Sequence, residues 1–306
     1  MPRQVLISPS YSLIHKGSFF ILLKEGYKHF LLAQGIDDFE DYLRKNGRPS
    51  SRLMGRTPHL SVSLGDGEKM VVRRYSHGGL LGVLTGSLYL FGSRAFQELA
   101  LTEEIRSSGI STVQPIGAVQ QAIFPFFYRA YLLSVEIPHA RDLPSYFQGM
   151  ASHPAAETLV ERRGMVRRLG RLVQQFHQAG FYHRDLQLKN ILIAPDSLFL
   201  IDFDRSYRKN VLTPRDKIDN LLRLNRSAEK WKRAGLAITR TDRWRFFLAY
   251  SGGDQGLRKA LKKALRTYTI RLFLHRWIWT LQKWIKKQPN SKHQIPNNNQ
   301  NFNDPS

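Results

Sequence analysis

The chain has no cysteine, which excludes a disulfide framework, a thiolate metal site and a cysteine nucleophile. Acidic residues are scarce: 24 Asp+Glu stand against 47 Lys+Arg in 306 residues, a formal net charge of +23. That balance implies an anionic neighbour, whether nucleic acid, phospholipid or a polyanionic substrate, and does not choose among them. Long apolar runs are also missing. Between Met1 and Gly26 the longest is Phe19 to Leu23, five residues, against roughly 7–15 in the apolar region of a secretory signal. No stretch reaches the ~18 uncharged apolar residues of a spanning helix. The expectation is a protein that stays in the cytoplasm and touches a membrane from that side at most. The apolar share of 42% excludes a fully disordered chain, and the length suggests roughly two domains or lobes.

Residues 1–54 are mixed in pattern, with a short helix expected from Asp37 to Lys45, ended by Asn46-Gly47. From Gly55 the pattern becomes strand-like. His59 to Leu64 alternates, Gly65-Asp66-Gly67 makes a hairpin turn, and Lys69 to Tyr75 resumes as a strand. A helix is expected from Ser93 to Ser107, then strands at Val113 to Val119 and Phe126 to Ile137. Beyond Pro138 helical periodicity takes over. The long helix Glu157 to Ala179 carries Leu159, Val166, Leu169, Leu172, Val173 and Phe176 on one face and ends at Gly180. Strands at Ile191 to Ala194 and Leu198 to Asp202 flank a turn, and from Arg215 the chain is again mainly helical.

Chemistry concentrates in His183-Arg184-Asp185-Leu186-Gln187-Leu188-Lys189-Asn190, followed after a hairpin by Ile201-Asp202-Phe203. The two segments match a kinase catalytic loop, H-R-D-L-x-x-x-N, and a D-F-x metal-binding motif. Asp185 is placed to accept or orient the proton of an acceptor hydroxyl. Asn190, five residues on, and Asp202, at the end of the next strand, are placed as Mg²⁺ ligands at the nucleotide phosphates. Lys189 is expected to neutralise charge on the transferring phosphoryl group. A lone HRD is weak; the same triplet with Asn at the right offset and Asp-Phe after a hairpin is specific.

Two further parts must then lie upstream. The strand Met70-Val71-Val72-Arg73 stands where a phosphate-binding lysine belongs, with Arg in its place; Arg74 is the alternative by register. Arg can still bind phosphate and pair with a carboxylate, as a planar fork. Glu98, in Arg94-Ala95-Phe96-Gln97-Glu98, is its expected helix partner. Gly55, in Gly55-Arg56-Thr57-Pro58, marks a poorly formed nucleotide loop, and Glu136, in a hinge at Val135 to Pro138, completes the nucleotide-binding set.

Several segments resemble the lipopolysaccharide kinase family, which includes 3-deoxy-D-manno-octulosonic acid (Kdo) kinases and core heptose kinases. Val72-Arg73-Arg74-Tyr75-Ser76-His77-Gly78-Gly79-Leu80 resembles its L-R-H-Y-R-R-G-G-L, and Arg94 to Glu98 its R-A-F-R-E. His183 to Leu186, Ile201 to Arg205, and Asn220-Leu221-Leu222-Arg223-Leu224-Asn225-Arg226-Ser227 resemble further family segments, the last N-L-x-R-L-x-R-S. The resemblance runs from about Gly55 to Tyr250 and makes the strand arginine a family-like feature. It departs at Ser76-His77, where the family has a basic pair. It implies an α+β, two-lobed protein-kinase-like fold, with an antiparallel-sheet N-lobe and a mainly helical C-lobe. It also implies ATP and Mg²⁺ as cofactors, and a lipid A-linked Kdo or heptose oligosaccharide as substrate, most simply the Kdo 4-hydroxyl. The implied place of work is the cytoplasmic face of the inner membrane.

The resulting division is residues 1–54 as an N-terminal extension packed on the N-lobe, 55–135 as N-lobe, 136–257 as C-lobe, 258–287 as a basic helical segment and 288–306 as a disordered tail. Between Arg258 and Lys287 lie ten Lys+Arg and no acid, with Trp277, Trp279 and Trp284 among them. This suits an interfacial helix on an anionic membrane, the alternative being a buried C-lobe helix. No nucleic acid is expected, because the basic residues form no known binding motif.

Overall fold

The computed structural model describes residues 9–49, 59–75, 89–90, 94–124, 127–151, 156–195 and 197–264. Met1–Arg258 form one compact unit and Lys259–Ser306 another. Gly55, the Ser76 to Leu80 part of the family-like segment, and most of the basic C-terminal segment lie outside the described residues.

The first unit begins with an eight-stranded antiparallel sheet. Its strands are β1 (Tyr11–Lys16), β2 (Phe19–Lys24), β3 (Arg48–Pro49), β4 (Leu60–Gly65), β5 (Glu68–Arg74), β6 (Tyr89–Leu90), β7 (Pro115–Phe124) and β8 (Phe127–Val135). Their order is β1-β2-β7-β8-β5-β4-β3, with β6 against β8. The apolar run Phe19 to Leu23 becomes β2. Ile21 and Leu23 enter a core with Leu31, Ile36, Phe39 and Tyr42 from helices α1 (Glu25–Ala33) and α2 (Phe39–Asn46) and the loop between them. Leu22 enters the opposite core with Ala95, Phe96 and Leu99 of α3 (Arg94–Ser107). A strand covered on both faces reads as a continuous apolar run, not an alternation. Residues 11–24 are thus strands of the sheet, bonded from β2 to β7, and not an extension laid upon it. The helix expected near Asp37 is α2, N-capped by Asp38, whose carboxylate accepts from Asp41 N–H.

Beyond β8 come β9 (Arg141–Asp142), α4 (Leu143–Ala151), α5 (Ala156–Gln178), β10 (Phe181–Tyr182), β11 (Ile191–Ala194), β12 (Ser197–Leu200), β13 (Tyr207–Arg208), α6 (Pro214–Arg233) and α7 (Arg240–Ser251). Both α6 and α7 start with a capping box, Thr213–Asp216 and Thr239–Asp242. Helix α5 packs against α7. Its core face holds Met165, Val166, Leu169, Leu172, Val173 and Phe176. Leu159 is no part of it: at 53% exposure it sits in solvent near the N-terminal end. Gly180 (φ +86°) turns the chain out of α5 where a Cβ would lie 2.0 Å from Lys209 O. Two bonds tie the α3–β7 connection to β12: Thr112 Oγ1 donates to Leu200 O (2.8 Å), and Leu200 N–H to Ser111 O (3.1 Å). They hold the helical part in fixed register beneath the sheet.

Candidate active site

Strand β5 decides which arginine faces the site. Met70 and Val72 point into the α1–α2 core, and Tyr75 into the α3 core. Period-two alternation puts Arg73 on the side of Tyr75, beneath α3, and Arg74 on the other. On α3, Ala95, Glu98, Leu99, Thr102 and Ile105 form the buried stripe. Glu98 is therefore carried into the interior by helical spacing alone. Arg73 Nη2 pairs with Glu98 Oε1 at 2.5 Å, and Nη1 pairs with Asp202 Oδ1. Tyr75 OH donates to Glu98 Oε2, and Phe203 N–H to Oε1 (3.0 Å). One buried carboxylate thus joins the sheet, α3 and the segment after β12.

Desolvation opposes every charge in this cluster, and the pairing decides the outcome. Burial works against the Arg73 guanidinium, but Glu98 and Asp202 hold its pKa well above the ordinary value. Burial also works against the Asp202 carboxylate, which Arg73 nevertheless draws below its usual range. Burial pushes Glu98 up, against the pull of Arg73. Asp202 has φ +67°, a left-handed conformation rare outside glycine, asparagine and aspartate. Such backbone strain concentrates at functional sites.

The catalytic loop is hung on buried polar groups. His183 Nε2 donates to Ile201 O (3.1 Å) and its Nδ1 accepts from Asp185 N–H (3.1 Å), so the neutral imidazole links the backbones that carry the two aspartates. Burial holds its pKa down. Asn220 of α6 clamps the same residue. Its Oδ1 accepts from His183 N–H (3.1 Å) and its Nδ2 donates to His183 O (3.0 Å). His177 and Tyr250 extend the network, with His177 Nε2 3.2 Å from Asn220 Oδ1 and Nδ1 2.8 Å from Tyr250 OH. Asn190 Nδ2 donates to Asp185 O (2.8 Å), and Leu188 N–H donates to Ser227 Oγ (3.1 Å). The Asp185 carboxylate has two partners: Gln187 Nε2 on Oδ2 (2.6 Å) and Arg223 Nη1 on Oδ1 (3.3 Å).

Against this geometry, the family model for the lipopolysaccharide kinase (Kdo/WaaP) family matches residues 40–250. The chain belongs to this family. The 3-deoxy-D-manno-octulosonic acid kinase of Vibrio cholerae serotype O1 is 33% identical over 62% of this chain and 77% of its own length. That of Pasteurella multocida is 30% identical over 71% and 88%. Among solved structures, WaaP in complex with acyl carrier protein superposes with TM-score 0.51 at 22% identity, over 81% of this chain and 99% of its own. That likeness shows the fold, which is α+β, two-lobed and protein-kinase-like.

Of the residues expected from sequence, this Kdo/WaaP-family chain brings Arg73, Glu98 and Asp202 into direct contact and joins Asp185 and Asn190 by a side-chain-to-backbone bond. Lys189 stands apart from that contact set, its Nζ 5.5 Å over the Trp231 ring. Glu136 follows β8, its N–H donating to Lys69 O (2.7 Å) and its Oε2 accepting from Ser61 Oγ (3.1 Å). Sequence reasoning missed His59 as a member of the site, and saw Tyr75, Asn220, Arg223 and Ser227 only as parts of family-like segments and Gln187 only as a spacer of the catalytic-loop motif. His59, ahead of β4, feels both Arg73 and Asp202, and burial lowers its pKa. Its Nδ1 and Arg73 Nε are buried without a hydrogen-bond partner among the described residues. Two buried nitrogens without partners beside the Arg73–Asp202 pair are exceptions of the kind that accompany a functional site.

The same site can be tested for Mg²⁺. Because Asn190 Nδ2 is committed to Asp185 O, its amide oxygen is turned elsewhere, and the Asp202 carboxylate, paired with Arg73 and bonded by the Asp204 backbone, is held ionised. An amide oxygen with a carboxylate oxygen is a hard donor set. No cluster of three His, Cys, Asp or Glu that could hold a metal occurs among the described residues. Mg²⁺ asks for no such cage, since it is commonly held by one or two carboxylates with substrate phosphates and water. The residues fit the ion.

Proposed function

We propose that the chain transfers the γ-phosphoryl group of ATP to the 4-hydroxyl of Kdo in lipid A-linked inner core. The observation that carries this reading is the joint suspension of Asp185 and Asp202 from His183, with Arg73 and Glu98 closing the far side. Asp185 accepts the hydroxyl proton as the oxygen bonds to the γ-phosphorus and the bond to the β–γ bridging oxygen breaks, releasing ADP. Arg73, fixed by Glu98, binds and neutralises nucleotide phosphate; Glu136 and Gly55 belong to the nucleotide side. Asn190 and Asp202 would hold Mg²⁺, which supplies charge neutralisation between the phosphates when bound. Lys189, which lies over the Trp231 ring, has the proposed role of neutralising charge on the transferring phosphoryl group.

The acceptor is anionic and lipid-borne, which gives the +23 charge a use. No helix among the described residues is long and apolar enough to cross a membrane. The proposed contact is peripheral, through the basic tryptophan-bearing residues 258–287 on the anionic cytoplasmic leaflet of the inner membrane.

The test is mass spectrometry of Kdo–lipid A and heptose-bearing acceptors incubated with the enzyme, ATP and Mg²⁺. The expected product gains one phosphate localised to Kdo. A phosphate on heptose would assign the other sugar, and no transfer to either would overturn the reading.

A further inference from the structure

The surroundings of Asp185 identify the group that reads the acceptor. On α6, Asn220, Arg223 and Ser227 lie at spacings of three and four, so they share one side of the helix. Asn220 and Ser227 are buried and bonded to the catalytic loop at His183 and Leu188. Arg223, between them, is anchored by its neighbours and reaches the solvent edge of the same side. Its Nη1 donates to Asp185 Oδ1 at 3.3 Å, and the side chains of the pair are 36% and 47% exposed. The ion pair is open to water, so its own contribution to folding is small. Its remaining N–H groups have no acceptor among the described residues. The other Asp185 oxygen is held by Gln187 (2.6 Å), which fixes the carboxylate plane.

A guanidinium carries five N–H donors in a planar fork that matches a carboxylate. Here one prong holds the proposed base while the rest have no acceptor among the described residues on a side chain that is 36% exposed. We propose that Arg223 is an acceptor-binding residue that reads the sugar carboxylate of the substrate and so sets the position of its hydroxyl against Asp185. The inference rests on the proposed Kdo acceptor and sharpens it. In a 3-deoxy-2-ulosonic acid the carboxylate-bearing carbon C2 is separated from C4 by the single deoxy carbon. One arginine can therefore span the substrate carboxylate and Asp185 while the 4-hydroxyl lies between them. A heptose has no carboxylate and cannot be read in this way.

The experiment uses the full chain and steady-state kinetics on three acceptors: Kdo–lipid A, the same molecule with the Kdo carboxylate reduced to an alcohol, and the same molecule without lipid A phosphates. Arg223→Gln is expected to raise the KM for Kdo–lipid A roughly 10- to 100-fold, the worth of a charge-assisted hydrogen bond, with KM for ATP nearly unchanged. Arg223→Lys, which keeps charge without the fork, is expected to fall between. Carboxyl reduction is expected to impair the wild type about as much as the substitution does, and to leave Arg223→Gln with no further loss. Equal effects of Arg223→Gln on all three acceptors would overturn the inference, as would a wild type indifferent to carboxyl reduction. A loss confined to KM for ATP would assign Arg223 to the transferred phosphoryl group instead. Coupling to the lipid A phosphates would assign it to those. A wild type inactive on every Kdo acceptor would refute the substrate reading itself, a result distinct from an active wild type matched by Arg223→Gln.

Discussion

Arg73 does at one position what a lysine could not do in the same way. Its two terminal nitrogens pair separately with Glu98 and Asp202, while Nε is buried without a partner among the described residues. A lysine offers a point charge and no fixed fork. Arg73→Lys is therefore expected to lower kcat/KM for ATP by roughly tenfold or more despite conserving charge, because one bidentate bridge becomes a single contact. Kinetics indistinguishable from wild type would show that charge alone matters at this site. Asp185 is a different case, since nothing in the interior depends on its carboxylate. Asp185→Ala is expected to cut turnover by about 10²–10⁴ while nucleotide affinity and the melting temperature hold. Near-normal turnover would remove Asp185 from the role of base.

Helices α5, α6 and α7 act together as the frame of the catalytic loop. His177 on α5, Asn220 on α6 and Tyr250 on α7 meet in one buried chain of hydrogen bonds that ends on the His183 backbone. Burial pushes His177 down to about 4, whereas an unfolded histidine titrates near 6.5. Between those values the unfolded chain binds the proton and the folded one does not, so stability falls on acidification and is recovered as pH rises through that range. The loss attributable to His177 is about 2 kcal/mol between pH 7 and pH 5. Urea denaturation at the two pH values measures it, and His177→Gln should flatten the dependence. A slope unchanged in that variant would rule His177 out as its source. The α5–α7 contact has its own probe in Gly170, where a Cβ would come within 2.6 Å of Phe246 O and 2.8 Å of Ala249 Cβ. Gly170→Ala gains helix propensity of ~1 kcal/mol, but overpacking costs about 1–3 kcal/mol. Net destabilisation of up to about 2 kcal/mol is expected, and a midpoint shifted upward would show that the helices can part freely.

At the scale of the whole molecule the dominant property is charge. An excess of +23 raises the local concentration of any polyanion and falls off within a Debye length of about 8 Å at physiological salt. For the proposed membrane contact, replacing Lys283, Lys286 and Lys287 by Gln removes three charges, each worth about 1 kcal/mol beside an anionic leaflet. Binding to vesicles containing anionic lipid should weaken about 100-fold, with nucleotide binding unaffected. Equal binding by the variant and the parent, at low and high salt, would place the attraction elsewhere on the surface.

Much of this architecture is legible in the chain itself, because it depends on local rules. The hairpin at Gly65-Asp66-Gly67, helix α3, the length of α5, the strands around the catalytic loop, and the candidacy of Asp185, Asn190, Asp202 and Glu98 follow from periodicity, turn chemistry and motif spacing. Other features depend on what lies across space. Phe19 to Leu23 is an apolar run of ambiguous type until α2 and α3 cover its two faces and make it a central strand. Leu159 obeys the helical period of α5 yet is exposed, so the period alone did not tell which of its residues the core would take. Arg73 and Arg74 differ by one step of a strand, and the sheet's pairing, not their chemistry, turned the first toward Glu98. Residues 177, 183, 220 and 250, and likewise 185 and 223, become neighbours only when three helices close around one loop. Sequence alone determined which groups are proposed to perform the chemistry. The tertiary structure decided which groups hold them in place, since hydrogen bonds between distant segments exist only after the backbone has brought those segments together.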